Sequence, residues 1–127
     1  MFNISEKLLA TKPKVGEVIF IAIDGHGGSG KSISAKLLSK KLQAEVIHTD
    51  DFSGWDNVID KVFKPIINGA KTLSYQPISW WSGHHPQPIT NQAVTKIMIL
   101  EGVGSSRTEL TDYISFNILL IPRRKFV

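Results

Sequence analysis

The sequence predicts an α/β domain built around a mostly parallel β-sheet. Short apolar segments of strand length alternate along the chain with segments of helical period. The apolar run at 18–23 contains no polar residue, which is typical of a parallel strand covered on both faces. The 127 residues suit one domain, 1–127, and right-handed crossovers would place helices on both sides of the sheet.

The first third of the chain contains two predicted strands. Apolar residues at helical spacing over 3–10 predict a short N-terminal helix, and a loop with Pro and Gly follows over 11–16. The β-branched run at 18–23 predicts the first strand. Helical spacing then predicts a helix over 33–42, and a second strand is predicted over 45–48.

A third helix is predicted over residues 58–67, where apolar residues recur as pairs every four positions until Gly69. Pro65 should kink or shorten it, because proline has no amide hydrogen and crowds residue 61. Residues 71–92 show no clear period and are predicted to be a long loop.

Two more strands are predicted in the last third of the chain. Residues 96–101 form the third strand and residues 116–121 the fourth. Between them, Ser106 and Glu109 match a capping box, which predicts the start of another helix. As the edge of the sheet, the fourth strand would invite pairing with another chain, so a homo-oligomer is possible.

Composition excludes several classes of protein. With no cysteine, the chain has neither a disulfide framework nor a thiolate zinc site. Three of the basic residues behind the net charge of +4 lie at 123–125, and without them 12 basic residues face 11 acidic ones. Nucleic-acid binding is therefore not predicted. The longest apolar run is too short to cross a membrane, so the expectation is a cytoplasmic protein without membrane contact.

A phosphate-binding motif follows the first strand and precedes the first long helix. Its pattern is G-x-x-x-x-G-K-S. Glycines allow backbone amides to approach a polyphosphate, and the helix N-terminus adds partial positive charge. Lys31 would contact the β- and γ-phosphates, and the Ser32 hydroxyl would bind Mg²⁺. The phosphate-binding residues are Gly25, His26, Gly27, Gly28, Ser29, Gly30, Lys31 and Ser32.

Acidic residues follow the strands at the same predicted edge of the sheet. Asp50 and Asp51 end the second strand, and one of them could accept a hydroxyl proton or bind Mg²⁺; the alternative is a polar strand end or helix cap. Glu101 ends an apolar strand, which favours a carboxylate near the metal over a solvated terminus. Asp24 is expected to be structural, accepting hydrogen bonds from loop amides.

Three further motifs follow the phosphate-binding motif, or P-loop, along the chain: His48-Thr49-Asp50-Asp51-Phe52, Tyr75-Gln76-Pro77-x-x-Trp80 and Ile99-Leu100-Glu101-Gly102-Val103-Gly104. Together and in this order, the four motifs resemble the uridine kinase-like nucleoside kinases, which are P-loop kinases related to nucleoside monophosphate kinases. The similarity covers roughly residues 17–122.

The resemblance implies a three-layer P-loop NTPase fold and an ATP- and Mg²⁺-dependent kinase that phosphorylates a hydroxyl of a nucleoside-like or sugar-like acceptor. Lys31 and Asp50 would be catalytic, Asp50 as the base. The expected metal site is Ser32, Asp50 and Glu101. The segment 71–92 would be an acceptor-side insert. The implied acceptor-binding residues are Asp51, Phe52, Tyr75, Gln76, Trp80 and Arg107.

Family members continue after the fourth strand into a lid helix with arginines, a fifth strand and a base-binding loop. This chain stops soon after Pro122, so the expected fold is C-terminally shortened. The alternative function is a truncated, non-catalytic nucleotide-binding protein. An NTPase that acts through a partner is disfavoured, because no helicase or GTPase motif is present.

Three further features have local explanations. His84 and His85 with His48 could suggest a metal site, but a polar loop is favoured because adjacent histidines rarely face one ion. Trp80 and Trp81 could stack on an acceptor ring or pack against the core. The basic cluster at 123–125 is expected to be a solvated end, although its arginines could also begin a lid-like segment.

Overall fold

The computed structural model describes Glu6, Leu8 and residues 10–25, 30–79 and 85–120. Several predicted features lie wholly or mainly outside these residues. They are the N-terminal helix apart from Glu6, Leu8 and Ala10, the P-loop interior at 26–29, the residues 80–84, and the C-terminal residues 121–127.

The central sheet contains four strands, all parallel. They are β1 (Ile19–Gly25), β2 (Glu45–His48), β7 (Ile97–Glu101) and β8 (Phe116–Leu120), in the spatial order β2-β7-β1-β8. In the register of β1 with β7, Ile19 is opposite Ile97. The predicted α/β fold with a mostly parallel sheet is confirmed.

The side chains of β1 alternate between two apolar cores, one on each face of the sheet. Phe20 and Ala22 belong to the larger core, whereas Ile21 and Ile23 belong to the smaller one. Because both faces are covered, the strand needs apolar residues at every position, which explains its unbroken apolar run.

Helices cover the two faces. Helix α1 (Lys31–Leu42) contributes Ala35 to the smaller core. Helices α2 (Trp55–Val58) and α3 (Lys64–Ile67) cover the larger core, joined by a π-helical turn over Ile59–Phe63.

Pro65 explains the π-helical turn. The Lys64 amide donates to the carbonyl of Ile59, five residues earlier instead of four. This wider turn shifts the hydrogen-bond pattern by one residue immediately before the proline, which has no amide to donate. The helix is not shortened as predicted, because it runs on to Ile67, before Gly69; the structure shows the wider turn instead.

The prediction of a long loop over residues 71–92 is wrong. Strands β3 (Thr72–Tyr75) and β6 (Thr90–Ala93) pair antiparallel, and between them lie the two-residue strands β4 (Ile78–Ser79) and β5 (His85–Pro86), which also pair. In β3, Leu73 and Tyr75 are buried whereas Thr72 and Ser74 are exposed. The period of two is present in the sequence, but over too few residues to stand out.

The helix predicted from the Ser106–Glu109 capping box is also wrong. A three-residue 3₁₀ turn, Thr108–Leu110, follows Arg107, and no side chain caps it. The Ser106 hydroxyl donates instead to Asp24. The serine is therefore used in a long-range contact that the local pattern does not reveal.

Strand β8 lies at one edge of the described sheet, and its Leu119 side chain is 64% exposed. Pairing of this edge with a second chain stays a prediction. Among the described residues, no helix is both long enough and apolar enough to span a membrane.

Candidate functional site

The P-loop flanks lie at the carboxyl end of β1. Gly25 is the last residue of this strand, and Gly30 directly precedes helix α1 with a φ of 85°. L-residues rarely adopt this left-handed conformation, which explains a glycine here. Lys31 and Ser32 are the first two residues of the twelve-residue helix, whose N-terminus carries partial positive charge.

Ser32 contacts Glu101 across 69 residues of sequence. The Ser32 hydroxyl donates to Glu101 Oε1 at 3.3 Å. Because β1 and β7 are adjacent parallel strands, the segment after β1 and the end of β7 meet at the same edge of the sheet. The structure thus brings together two of the three predicted metal ligands.

His48 is the second partner of Glu101, a contact that was not predicted from the sequence. Its Nδ1 lies 2.8 Å from Glu101 Oε2. His48 and Glu101 are the last residues of two adjacent strands and are opposite each other in the register. A signal was therefore available: both residues directly precede the turns that carry the predicted site.

The contact shifts the pKa values of both residues in opposite directions. The hydrogen bond with Glu101 raises the pKa of His48, against the effect of burial. The same bond lowers the pKa of Glu101, again against burial, with smaller contributions from the Ser32 hydroxyl and the Lys31 charge. The site therefore favours an ionised Glu101.

Asp24 ties the end of β1 to the turn after β7. Its Oδ1 accepts from the amides of Gly25 at 2.7 Å and Gly104 at 2.8 Å. Its Oδ2 accepts from the amide of Ser106 at 3.0 Å and from the hydroxyl at 2.6 Å. Burial, the largest influence, raises the pKa of Asp24, but these bonds together lower it. The expected structural role of Asp24 is confirmed.

Gly102 allows a close approach between the end of β7 and the turn after β2. Its φ is 145°, and a Cβ atom there would collide with the side chain of Thr49, which is 8% exposed. Its amide donates to the carbonyl of Ile23 at 3.1 Å. A side chain at this position would thus disturb three neighbouring segments of the site.

Asp50 and Asp51 belong to one 3₁₀ turn, Thr49–Asp51, but line different cavities. Asp51 lines the larger, hereafter the Asp51 cleft, of about 390 Å³. Asp50 lines the smaller, the Asp50 cavity, of about 230 Å³. Phe52 and Ser53 line both, so the cavities are neighbours.

The Asp51 cleft contains four of the six predicted acceptor-binding residues. Its wall includes two aromatic residues, two apolar side chains and several polar groups. The lining residues are Asp51, Phe52, Ser53, Asn57, Lys61, Ser74, Tyr75, Gln76, Ile78 and Ile89.

The aromatic wall of the Asp51 cleft is held from behind. The rings of Phe52 and Tyr75 lie 4.9 Å apart. The Tyr75 hydroxyl donates to Gln92 Oε1 at 2.8 Å, and Gln92 Nε2 donates to the carbonyl of Val46 at 2.6 Å. Burial, aided by the charges of Asp51 and Glu45, raises the pKa of Tyr75 to about 12, so the phenol stays neutral at physiological pH.

Asp51 is partly buried. Burial raises its pKa, as do the negative charges of Asp50 and Glu101, while His48 lowers it. Asp51 therefore belongs to the same electrostatic cluster as the Glu101 carboxylate.

Arg107 lies outside the lining of the Asp51 cleft. Its guanidinium stacks over Trp55 at 4.7 Å and pairs with Glu109 at 2.7 Å. Trp55 lines the Asp50 cavity, so Arg107 supports that cavity from outside. Its predicted contact with the acceptor stays a prediction. Trp80 lies outside the described residues.

The Ser32 hydroxyl and the Glu101 carboxylate fit a magnesium ion, because Mg²⁺ prefers oxygen ligands and keeps several waters and substrate phosphates around it. Within the described part of the chain, no group of three His, Cys, Asp or Glu side chains is placed to hold a metal. A site of this P-loop type needs no such group, since one hydroxyl and one carboxylate are combined with nucleotide phosphates.

Comparison with solved structures supplies the fold relationship. A protein described as a possible uridine kinase from Bacillus stearothermophilus matches with a TM-score of 0.71 over 91% of this chain and 76% of that chain, at 18% sequence identity. The chain has a P-loop kinase-like fold. No protein-family model matches the sequence, and no curated protein does.

Proposed function

We propose that this protein is an ATP- and Mg²⁺-dependent small-molecule kinase that transfers the γ-phosphoryl group to a hydroxyl, in the manner of uridine kinases. The observation that carries the proposal is the contact between Ser32 and Glu101 at 3.3 Å. It joins the end of the phosphate-binding motif to an ionised carboxylate at the carboxyl end of parallel strands, where such folds bind nucleotides. The fold shared with a possible uridine kinase supports the same function.

In the proposed reaction, the acceptor hydroxyl attacks the γ-phosphorus of ATP. A new oxygen–phosphorus bond forms, the bond from the γ-phosphorus to the bridging oxygen breaks, and ADP leaves. Asp50 accepts the hydroxyl proton. Lys31 and the amides of residues 25–32 bind the phosphates.

Ser32 and Glu101 would hold the magnesium ion, with Asp50 as a further ligand. When bound, Mg²⁺ neutralises charge on the β- and γ-phosphate oxygens. His48 keeps the Glu101 carboxylate oriented and ionised through its contact at 2.8 Å.

The acceptor would bind in the Asp51 cleft and place its reacting hydroxyl toward the neighbouring Asp50 cavity, since Phe52 and Ser53 line both. The cleft volume of about 390 Å³ lies in the range of small-molecule sites. Phe52 and Tyr75 offer aromatic surface, and Gln76 offers a polar group at the wall. Trp80 completes the proposed acceptor site on sequence grounds.

A matched set of variants tests the proposal. ATP turnover is measured with a panel of nucleosides and sugars for the wild type, Asp50→Asn and Asp51→Asn. Loss of the base should reduce kcat by about 10²–10⁴, whereas loss of a cleft carboxylate should mainly raise the acceptor KM. Asp60→Asn is the control, because Asp60 pairs only with Lys64 among the described ion pairs, on an exposed helix face.

Calorimetric titration with ATP and Mg²⁺ separates binding from catalysis. Wild type should bind, and Lys31→Ala should bind more weakly. Binding without turnover on any acceptor would favour the non-catalytic nucleotide-binding alternative. Absence of binding would remove both functions.

A further inference from the structure

The wall of the Asp51 cleft carries a positive charge that the proposed chemistry does not use. Lys61 lies in the π-helical turn and lines the cleft together with Asn57 and Ser53. Successive members of this set are four positions apart along the chain, and all three line the cleft. Asn57 Nδ2 donates to Ser53 Oγ at 2.6 Å, which orders the polar stripe before the lysine.

Lys61 has no acidic partner among the residues that the structure describes. The adjacent carboxylate, Asp60, is paired with Lys64 at 3.1 Å. The charges that shift the pKa of Asp51 are His48, Asp50 and Glu101, and Lys61 is not one of them. Among the described residues, no ion pair joins Lys61 to Asp51, the other charged residue of the cleft.

Other residues of the same wall offer neutral hydrogen-bonding groups. Ser74, on strand β3, and Gln76, directly after it, line the same cleft as Lys61. A hydroxyl, an amide and an ammonium group together suit a carboxylate or phosphate, whose oxygens accept several hydrogen bonds at once. Lys61 is exposed, so its ammonium group is hydrated in the free protein. An uncharged nucleoside would give it no charged partner, whereas an anionic group would.

We propose that the acceptor is a hydroxyl compound that also carries a carboxylate or phosphate group, and that Lys61 binds this anionic group. The inference rests on the proposed function for the reacting hydroxyl, which faces the acidic side of the cleft. Lys61 is thus a specificity-determining residue that selects charged acceptors over neutral ones.

Paired ligands test the inference directly. Calorimetry measures the affinity for D-ribose 5-phosphate against D-ribose, and for D-glycerate against glycerol. A non-hydrolysable ATP analogue with Mg²⁺ is present at saturation, so that the P-loop is not available to the added phosphate. The first pair reports recognition of a phosphate and the second of a carboxylate.

Three variants are compared with the wild type. Lys61→Gln should weaken binding of at least one anionic ligand by about tenfold to a hundredfold, the range for a hydrogen bond to a charged group, and leave its neutral partner unchanged. Lys61→Arg should retain most of the affinity, because the charge remains. Lys64→Gln, one turn away and paired with Asp60, should behave as the wild type.

The inference is overturned if the anionic ligands bind no better than the neutral ones, including no binding at all, or if Lys61→Gln binds them as the wild type does. Phosphoryl transfer is measured separately. Transfer to neutral acceptors with no preference for anionic ones would leave the kinase intact and remove this inference. Binding of anionic ligands that depends on Lys61, without transfer to any acceptor, would support the anion site at Lys61 and contradict the proposed kinase activity.

Discussion

Replacement of Gly102 by alanine tests how closely the end of β7 is packed against the turn that carries Asp50 and Asp51. An alanine Cβ would lie 2.9 Å from Thr49 Cβ and 3.2 Å from its Cγ2, and closer still to Oγ1. Thr49 is 8% exposed, so its side chain has little room to move. The turn must therefore shift, or the strand end must.

Two effects add up in this variant. A non-glycine residue at φ 145° is strained by about 1–3 kcal/mol. Overpacking against a buried neighbour costs about another 1–3 kcal/mol. We expect the free energy of unfolding to fall by about 2–6 kcal/mol in all, as measured by urea denaturation followed by tryptophan fluorescence.

Gly69→Ala is the matched control. Gly69 also has a positive φ, 95°, but a methyl group added there would have no atom within 4 Å. This variant should show the backbone strain without the collision, and should destabilise the protein by about 1–3 kcal/mol. Thr49→Gly removes all three atoms that the new methyl at residue 102 would meet, so Gly102→Ala should be less destabilising in that background.

The reasoning is refuted if Gly102→Ala destabilises the protein no more than Gly69→Ala does. It is also refuted if the effect of Gly102→Ala is the same with and without the Thr49 side chain. Either result would mean that the strand end and the turn are not in close contact.

Three further predictions concern the groups around the site. The pKa of His48 is raised, so its contribution to the stability of the fold is complete below its ordinary pKa of 6.5 and is lost as pH rises through the raised value. The pKa of Glu101 is lowered, so its contribution is complete above its ordinary pKa of 4.5 and is lost as pH falls through the lowered value. His48→Gln should thus reduce the free energy of unfolding most between pH 4.5 and 6.5. A difference from the wild type that stays constant across pH would contradict the stabilising contact between His48 and Glu101. Ser106→Ala removes a hydrogen bond of 2.6 Å to the Asp24 carboxylate and should destabilise the protein by about 1.5–3 kcal/mol in urea denaturation; an unchanged midpoint would contradict the role of this contact. In spectrophotometric titration, the Tyr75 phenol, identified by difference from Tyr75→Phe, should ionise only near pH 12, and ionisation near pH 10 would show that it is not buried.

The fold class could be predicted from the sequence because its signals are local. The apolar run of β1 shows that both faces of the strand are covered, and this needs only consecutive residues. Pro65 disturbs its own helix through an amide that it lacks. By contrast, β3 and β6 were missed, because strands of four residues depend on each other's hydrogen bonds more than on their own pattern.

The phosphate-binding motif and the acidic strand ends are evident in the sequence alone, since each of them is a contiguous segment whose chemistry follows from its own residues. How these segments are combined depends on the tertiary structure. His48 meets Glu101 across 53 residues, and Ser106 meets Asp24 across 82.

The tertiary structure also places the sequence neighbours Asp50 and Asp51 in different cavities, and it brings Asp51 into the same cleft as Lys61. The physical reason is that strand order and register set these contacts. Both depend on packing of the whole sheet rather than on any single segment.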